Sequence, residues 1–119
     1  MININSANLT GRISKAPTLE TVGETSVVRA RILHNDVIRR KNKEPKTELV
    51  AIDVEIWGPP AVAFAEMVTP KTPVYLETAL KMSEWKDQAT GESRSKLYLR
   101  VDRWQFIERK AKEEEKAEA

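Results

Sequence analysis

The most constraining feature of the 119-residue sequence is a two-residue alternation of apolar and polar side chains in two central segments, "VRARI" (28–32) and "IDVEI" (52–56). Successive side chains of a β-strand point to opposite faces, so this period predicts strands with one buried and one solvent-facing side. An amphipathic helix would instead repeat its apolar residues at spacings of three and four. The alternation therefore indicates a sheet with a single covered face.

Similar patterns elsewhere predict five strands in total, over residues 5–13, 26–35, 48–58, 74–86 and 95–107. "PPAVAFAEMV" (59–68) breaks the alternation and begins with two prolines, which predicts a short helix. The turn-forming "DQATGE" (87–92) joins the last two strands into a long hairpin. Three strands, a helix and two strands are the element order of the OB-fold, an all-β, partly open, five-stranded Greek-key barrel. A small antiparallel sheet of another topology is the alternative.

The alternation also predicts which side chains point inward, with Gly11 marking a bulge or sharp bend in the first strand. The predicted inward set is Ala7, Leu9, Ile13, Val28, Ala30, Ile32, Val50, Ile52, Val54, Ile56, Val74, Leu76, Leu80, Met82, Leu97, Leu99 and Val101.

Charge is unevenly distributed along the chain. The net charge is +2, but residues 1–107 hold sixteen bases against thirteen acids, and "RRKNKEPK" (39–46) has five bases and one acid. A mildly basic domain with clustered charge suits a polyanionic partner. Cysteine is absent, no apolar run is as long as a membrane span, and the start has no signal-peptide pattern. We therefore expect a cytoplasmic protein without a membrane partner.

Three aromatic residues, Trp57, Trp85 and Tyr98, lie on the polar side of their strands by this parity. Flat rings among cations stack on unpaired bases while the cations hold phosphates, which predicts a preference for single strands. The alternative is that these rings cover the barrel end or a subunit interface. The predicted phosphate-binding residues are Arg12, Arg29, Arg31, Arg39, Arg40, Lys41, Lys43, Lys46, Lys81, Lys86, Arg94, Lys96 and Arg100.

Catalysis has little support in the sequence. His34 is the only histidine, and no zinc-protease, phosphate-loop or dinucleotide motif is present. Asp53 and Glu55 share a strand face, but a charged solvent-facing surface is the simpler interpretation than a metal site. We expect no enzyme activity, no cofactor and no metal.

Four stretches together resemble the bacterial single-stranded DNA-binding protein family. They are "NLTGRISKAPTLETV" (8–22), "IDVEIWG" (52–58), "PVYLETALKMSEWKDQATGE" (73–92) and "VDRWQFI" (101–107). The resemblance runs through residues 3–108 in one register and implies an OB-fold that binds single-stranded DNA and forms a homotetramer, or failing that a dimer. It implies base stacking at Trp85 and Trp57, and a packing role for Trp104.

The sequence departs from the family at several positions. Two other family stacking positions correspond to Ala51 and to the neighbourhood of Val37 and Ile38, where no ring is present. The family's long linker and acidic tip ending in an aromatic, which recruit replication and repair proteins, are replaced by "ERKAKEEEKAEA" (108–119). We therefore expect a binding domain over residues 1–107 and a short, frayed or disordered charged tail over residues 108–119.

The leading functional expectation is sequence-independent binding and protection of single-stranded DNA in replication, recombination or repair. RNA is an alternative ligand, because sequence-tolerant stacking does not choose the sugar. A second hypothesis is an OB-fold adaptor that binds proteins of the primosome or replisome and nucleic acid only weakly. The acidic Asp53 and Glu55 on the expected DNA face favour this second hypothesis.

Overall fold

A computed structural model describes residues 2–107, which form six strands and one helix. Their bounds are β1 Ala7–Ile13, β2 Leu19–Val22, β3 Thr25–Ile38, β4 Lys46–Trp57, α1 Pro59–Met67, β5 Val74–Lys86 and β6 Ser93–Phe106. The five strands and the helix that the sequence predicts are all present, and the prediction of strand β5 is correct at both ends. The short strand β2 is additional.

Five of the strands form a closed barrel. Their order is β1-β5-β6-β4-β3, and β1 returns to β3 to close the ring, while β2 extends the sheet as a hairpin partner of β3. All neighbours are antiparallel except β4 and β6, which pair in parallel from Val54↔Leu99 to Ile56↔Val101. A five-stranded closed barrel with one helix between its third and fourth strands is the predicted OB-fold.

Strand β1 closes the barrel by changing partners near Gly11. Residues Ala7–Gly11 pair with β5, whereas Arg12 and Ile13 pair with β3. A Cβ atom at Gly11 would lie 2.5 Å from the carbonyl oxygen of Leu33. Glycine is therefore needed because the backbones of β1 and β3 approach too closely for any side chain.

The core lies inside the barrel and beneath the helix. It includes Ile32, Ile56 and Leu76, all fully buried. Helix α1 begins with prolines, as expected for its first turn, and buries Ala61 and Phe64 in the same cluster. The helix thus covers one end of the barrel, and the opposite end carries the projecting parts of the long hairpins.

A β-bulge in β6 reverses which side chains point inward. Thr78 pairs with Val101 and Glu77 with Arg103, so Asp102 has no partner in β5. Because one residue is inserted, odd-numbered residues face the core before the bulge and even-numbered ones after it. Trp104 therefore packs against the core, which confirms its expected packing role.

The aromatic contacts of Trp104 join β6 to the helix. Its ring meets those of Phe64 and Phe106 edge to face, at centroid distances of 5.3 Å and 5.2 Å. Its indole Nε1 donates a hydrogen bond of 3.0 Å to the carbonyl oxygen of Pro60. These contacts orient α1 on the barrel.

Four residues that the alternation places in the core are instead exposed. Val50, Leu80, Met82 and Leu97 have 44%, 42%, 55% and 49% of their surface accessible. The alternation correctly puts them on the inward side of their strands, but the β3–β4 and β5–β6 hairpins extend beyond the barrel. No second layer covers them there in the described part of the chain.

Strand β2 is the element that the sequence prediction lacks. It pairs with β3 from Leu19↔Val28 to Val22↔Thr25, through a two-residue turn at Gly23 and Glu24. Gly23 has a φ of 62°, which suits the turns that connect tight hairpins. The turn signal is visible in the sequence, but all four β2 residues are exposed, so no alternation of buried and exposed side chains indicated the strand.

The predicted charged tail, residues 108–119, lies outside the described residues. No helix in the described range is long and apolar enough to span a membrane.

Substitution of Gly11 should destabilise the fold. We expect Gly11→Ala to lower the free energy of unfolding by roughly 1–3 kcal/mol, because its new methyl group must displace the backbone of β3. Urea unfolding followed by circular dichroism measures this. Asn8→Ala, at an exposed position on the same strand, should change it by no more than about 0.5 kcal/mol. Equal stability of the two variants would contradict the close approach.

Candidate nucleic-acid interface

An open groove of about 660 Å³ runs across the outer face of the sheet. Its floor is formed by Arg31, Asp53 and Glu55 on β3 and β4. One wall is the segment 14–18 that precedes β2, and the other is the base of the β5–β6 hairpin, including Ser83 and Tyr98. The strands that project from the barrel therefore also create the concave surface beside it.

One of the three predicted stacking residues, Tyr98, lines the groove. Trp57 lies two residues beyond the groove residue Glu55 on β4, and Trp85 lies two residues beyond the groove residue Ser83 towards the hairpin tip. The β4–β6 register aligns Trp57 with the bulge in β6, while Trp85 pairs with Arg94. Asp102 at the bulge and Arg94 are eight residues apart on β6, so Trp57 and Trp85 are separated along the strand by at most about 26 Å at 3.3 Å per residue.

The three rings differ in how firmly they are held. Trp85 is 47% exposed near the end of β5, whereas Trp57 and Tyr98 are half-buried. The indole Nε1 of Trp57 donates a hydrogen bond of 3.2 Å to Oε2 of Glu55. Trp57 is thus tied to its own strand, and Trp85 presents the most accessible ring of the three.

The turn beneath Trp85 is well braced. The backbone of Asp87 exchanges hydrogen bonds with Glu92 and Gly91, at 2.8 Å and 2.7 Å, and its carboxylate accepts one of 2.8 Å from the amide of Ala89. Arg94 reaches the same carboxylate at 3.3 Å. This network gives Trp85 a defined support at the tip of the hairpin.

Six of the predicted phosphate-binding residues form ion pairs with carboxylates of the protein. Arg29 pairs with Glu20 at 2.8 Å and with Glu55 at 3.2 Å. Asp53 pairs with both Arg31 and Lys96. The remaining pairs join Lys46 to Glu48, Arg94 to Asp87 and Glu92, and Arg100 to Asp102.

The other seven have no carboxylate of residues 2–107 within ion-pairing distance. They are Arg12, Arg39, Arg40, Lys41, Lys43, Lys81 and Lys86. Four of them belong to the connection between β3 and β4, where Arg40 donates two hydrogen bonds to the carbonyl oxygen of Glu44. Lys81 and Lys86 lie on β5, on either side of Trp85 in the chain. Arg12 is not brought to the groove and lines a separate recess beside β1.

The two further positions at which the family resemblance implies stacking rings have aliphatic side chains in this protein. Ala51 is half-buried opposite Leu33, and Val37 is 55% exposed on the projecting part of β3. The projecting part of the β3–β4 hairpin therefore carries cations and aliphatic residues, and Trp57 is the aromatic residue at the other end of β4.

Sequence reasoning missed one wall of the groove. Residues 14–18 and Glu20 reach it because β2 folds back along β3. Pro17 and the turn at Gly23 were the available signals for such a loop and hairpin. His34 lies away from this face, where its Nδ1 donates a 2.7 Å hydrogen bond to the carbonyl oxygen of Thr10. Within residues 2–107, no three acidic or histidine side chains are grouped as a metal site.

Comparison with known proteins points to one family. The model of the single-strand binding protein family matches residues 4–107. Single-stranded DNA-binding protein 1 of Synechocystis sp. is 29% identical over 101 residues, covering 85% of this chain and 81% of its own. Single-stranded DNA-binding protein of Thermosynechococcus vestitus is 27% identical over 109 residues, covering 92% and 87%.

A solved structure has the same fold. A Plasmodium falciparum SSB complex with ssDNA superposes with a TM-score of 0.75 at 16% identity, over 90% of this chain and 97% of the other. Agreement at this level of identity supports the OB-fold architecture of the barrel and its long hairpins.

Trp104 packs against the core, whereas Trp85 is exposed near the tip of the hairpin. We expect Trp104→Ala to lower the free energy of unfolding by about 3 kcal/mol, because it removes two ring contacts and a hydrogen bond. Trp85→Ala should change it by about 0.5 kcal/mol or less, since the ring is largely exposed. Thermal and urea unfolding of both variants measures the difference. A similar loss in both would show that Trp85 also supports the fold.

Proposed function

Because the chain belongs to the single-strand binding protein family, we propose that it binds single-stranded DNA without regard to sequence and protects it during replication, recombination or repair. The observation that carries this proposal is an open groove lined by Tyr98, with Trp57 and Trp85 each two residues along their strands from a groove residue. The relatives are named for the same activity.

Stacking would supply the preference for single strands. Each base that stacks on an aromatic ring contributes about 1–3 kcal/mol, and every base offers a suitable face. A duplex hides those faces between neighbouring base pairs. Trp85 is the ring best placed for this contact because it is the most exposed and rests on a braced turn.

Phosphate binding would come first from cations that the protein leaves unpaired. Arg39, Lys41 and Lys43 in the β3–β4 connection and Lys81, on the Trp85 face of β5, have no carboxylate partner among the described residues. Each phosphate contact releases counterions, so the logarithm of affinity should fall with the logarithm of salt at about 0.7 per contact. Arg12 contributes least to this proposal because it faces another recess.

The proposal is one of binding rather than catalysis, and it places the protein with DNA in the cytoplasm. The hydrogen bond from His34 to Thr10 supports a structural role for the single histidine. RNA is the alternative ligand, since stacking and phosphate contacts alone do not select the sugar. The adaptor hypothesis keeps some support from Asp53 and Glu55, because these carboxylates line the groove and pair with cations that a nucleic acid would need.

A fluorescence titration tests the stacking proposal. We expect a thymidine oligomer to quench tryptophan emission, with weaker binding as salt rises and much weaker binding to a matched duplex. Trp85→Ala should abolish most of the quenching and weaken affinity by about 5- to 150-fold, the equivalent of one base–aromatic stack.

Glu84→Ala provides the control, since Glu84 is the exposed neighbour whose side chain is on the other face of the hairpin. It should leave the quenching intact. If the single strand causes no quenching and forms no complex, the exposed rings serve a protein partner, and the adaptor hypothesis replaces this one.

We further propose that the protein assembles as a homotetramer, with a dimer as the simpler alternative. Within the described residues, the outer edge of β1 is unpaired over Ala7–Gly11, and an unpaired edge favours association. Leu80, Met82 and Leu97 form an exposed apolar face on the β5–β6 hairpin. Covering that face by other copies would remove it from water.

Sedimentation equilibrium measures the assembly. We expect a mass four times, or twice, the 13.5 kDa of one chain. Met82→Lys should shift the population towards smaller species, because it places a charge on the apolar face. Ser83→Lys, its neighbour on the opposite face, should not. A single 13.5 kDa species at all concentrations would exclude a stable oligomer.

A further inference from the structure

One carboxylate in the groove holds two of its cations. Oδ1 of Asp53 lies 3.5 Å from Nη1 of Arg31, and its other oxygen binds Nζ of Lys96. Asp53 belongs to β4, which lies between β3, the strand of Arg31, and β6, the strand of Lys96. The carboxylate therefore sits between the two positive charges on the groove floor.

The pairing with Lys96 bridges the point where the hairpin leaves the barrel. β6 pairs with β4 only from Leu99 to Val101, so Lys96 lies on the projecting part of the strand. Its ammonium nevertheless reaches back to Asp53. The ion pair thus closes part of the groove between the hairpin and the sheet.

A DNA phosphate and the Asp53 carboxylate are competitors for the same donors. Both are oxyanions that accept hydrogen bonds from guanidinium and ammonium groups. Arg31 and Lys96 side chains are each 54% exposed and that of Asp53 is 31% exposed. Ion pairs in such exposed positions contribute about 1 kcal/mol or less each, so competition from Asp53 should weaken phosphate binding by these cations without abolishing it.

We propose that Asp53 sets the affinity of the groove by withholding Arg31 and Lys96 from phosphates. This inference rests on the proposed binding of single-stranded DNA. With Asp53 in place, the strand is held by its stacked bases and by the unpaired cations of the hairpins. The two groove cations then contribute no more than about one phosphate contact to the affinity and its salt dependence, because the carboxylate offsets one of their two positive charges.

Removal of the carboxylate should therefore strengthen binding. In Asp53→Asn, both Arg31 and Lys96 become available, which adds about one phosphate contact because one negative charge is removed. The log–log salt dependence should become steeper by about 0.7 per contact, and affinity at 0.1 M salt should rise about 5-fold per contact. The gain should shrink as salt approaches 1 M.

The experiment measures affinity for a labelled thymidine oligomer by fluorescence anisotropy across a series of salt concentrations. Glu66→Gln removes the same charge from the exposed surface of α1, outside the groove, and should change affinity less than 2-fold. The double variant Asp53→Asn/Lys96→Met should lose the gained slope, because it has the same cluster charge as the wild-type protein. Lys96→Met alone leaves Arg31 paired with Asp53 and should make the slope shallower by up to about 0.7.

Two kinds of result overturn the inference. If the wild-type protein binds the oligomer and Asp53→Asn has the same or lower affinity and the same slope, Asp53 does not withhold the cations. If Glu66→Gln strengthens binding as much as Asp53→Asn does, net charge alone is responsible. Failure of both the wild-type protein and Asp53→Asn to bind would instead overturn the proposed function, and this inference with it.

Discussion

Closure of the barrel by β1 is the constraint on which the rest of the structure depends. This short strand forms backbone hydrogen bonds with both neighbouring strands, pairing first with β5 and then with β3. The exchange requires a close backbone approach at Gly11, where any side chain would collide with Leu33. Once the ring is closed, α1 covers one end, and the two longest hairpins leave from the barrel in fixed directions. The groove lies between the segment before β2 and the base of the β5–β6 hairpin.

The length of the strands divides the protein into a barrel with a buried core and hairpins whose apolar side chains are exposed. Within the barrel, inward side chains such as Ile56 and Leu76 meet a complete core. Beyond it, the same alternation continues, but Met82 and Leu97 meet no opposing layer within the described residues. Apolar side chains on a strand that extends past the core stay exposed to water. A long hairpin with such exposed aliphatic and aromatic residues therefore indicates a surface that contacts other molecules.

Electrostatics on the outer face follow a similar division. Charges within the groove largely neutralise one another, since Asp53 and Glu55 hold cations of β3 and β6. Cations of the β3–β4 connection and near Trp85 remain without such partners in the described chain. The small net charge of +2 does not reveal this distribution, because it is a sum over paired and unpaired charged groups.

The sequence by itself determined the strands, the helix and the polar side of Trp57, Trp85 and Tyr98, because a strand's alternation is a local property. It also predicted the OB-fold, since the element order leaves few arrangements. Tertiary structure decided where the core ends, so Val50 and Leu80 have inward parity and yet are exposed. It decided the bulge at Asp102, which turns Trp104 inward, and the hairpin of β2, whose exposed residues show no pattern. It also decided which cations meet carboxylates, because Asp53 and Lys96 are 43 residues apart and adjacent only in the folded sheet.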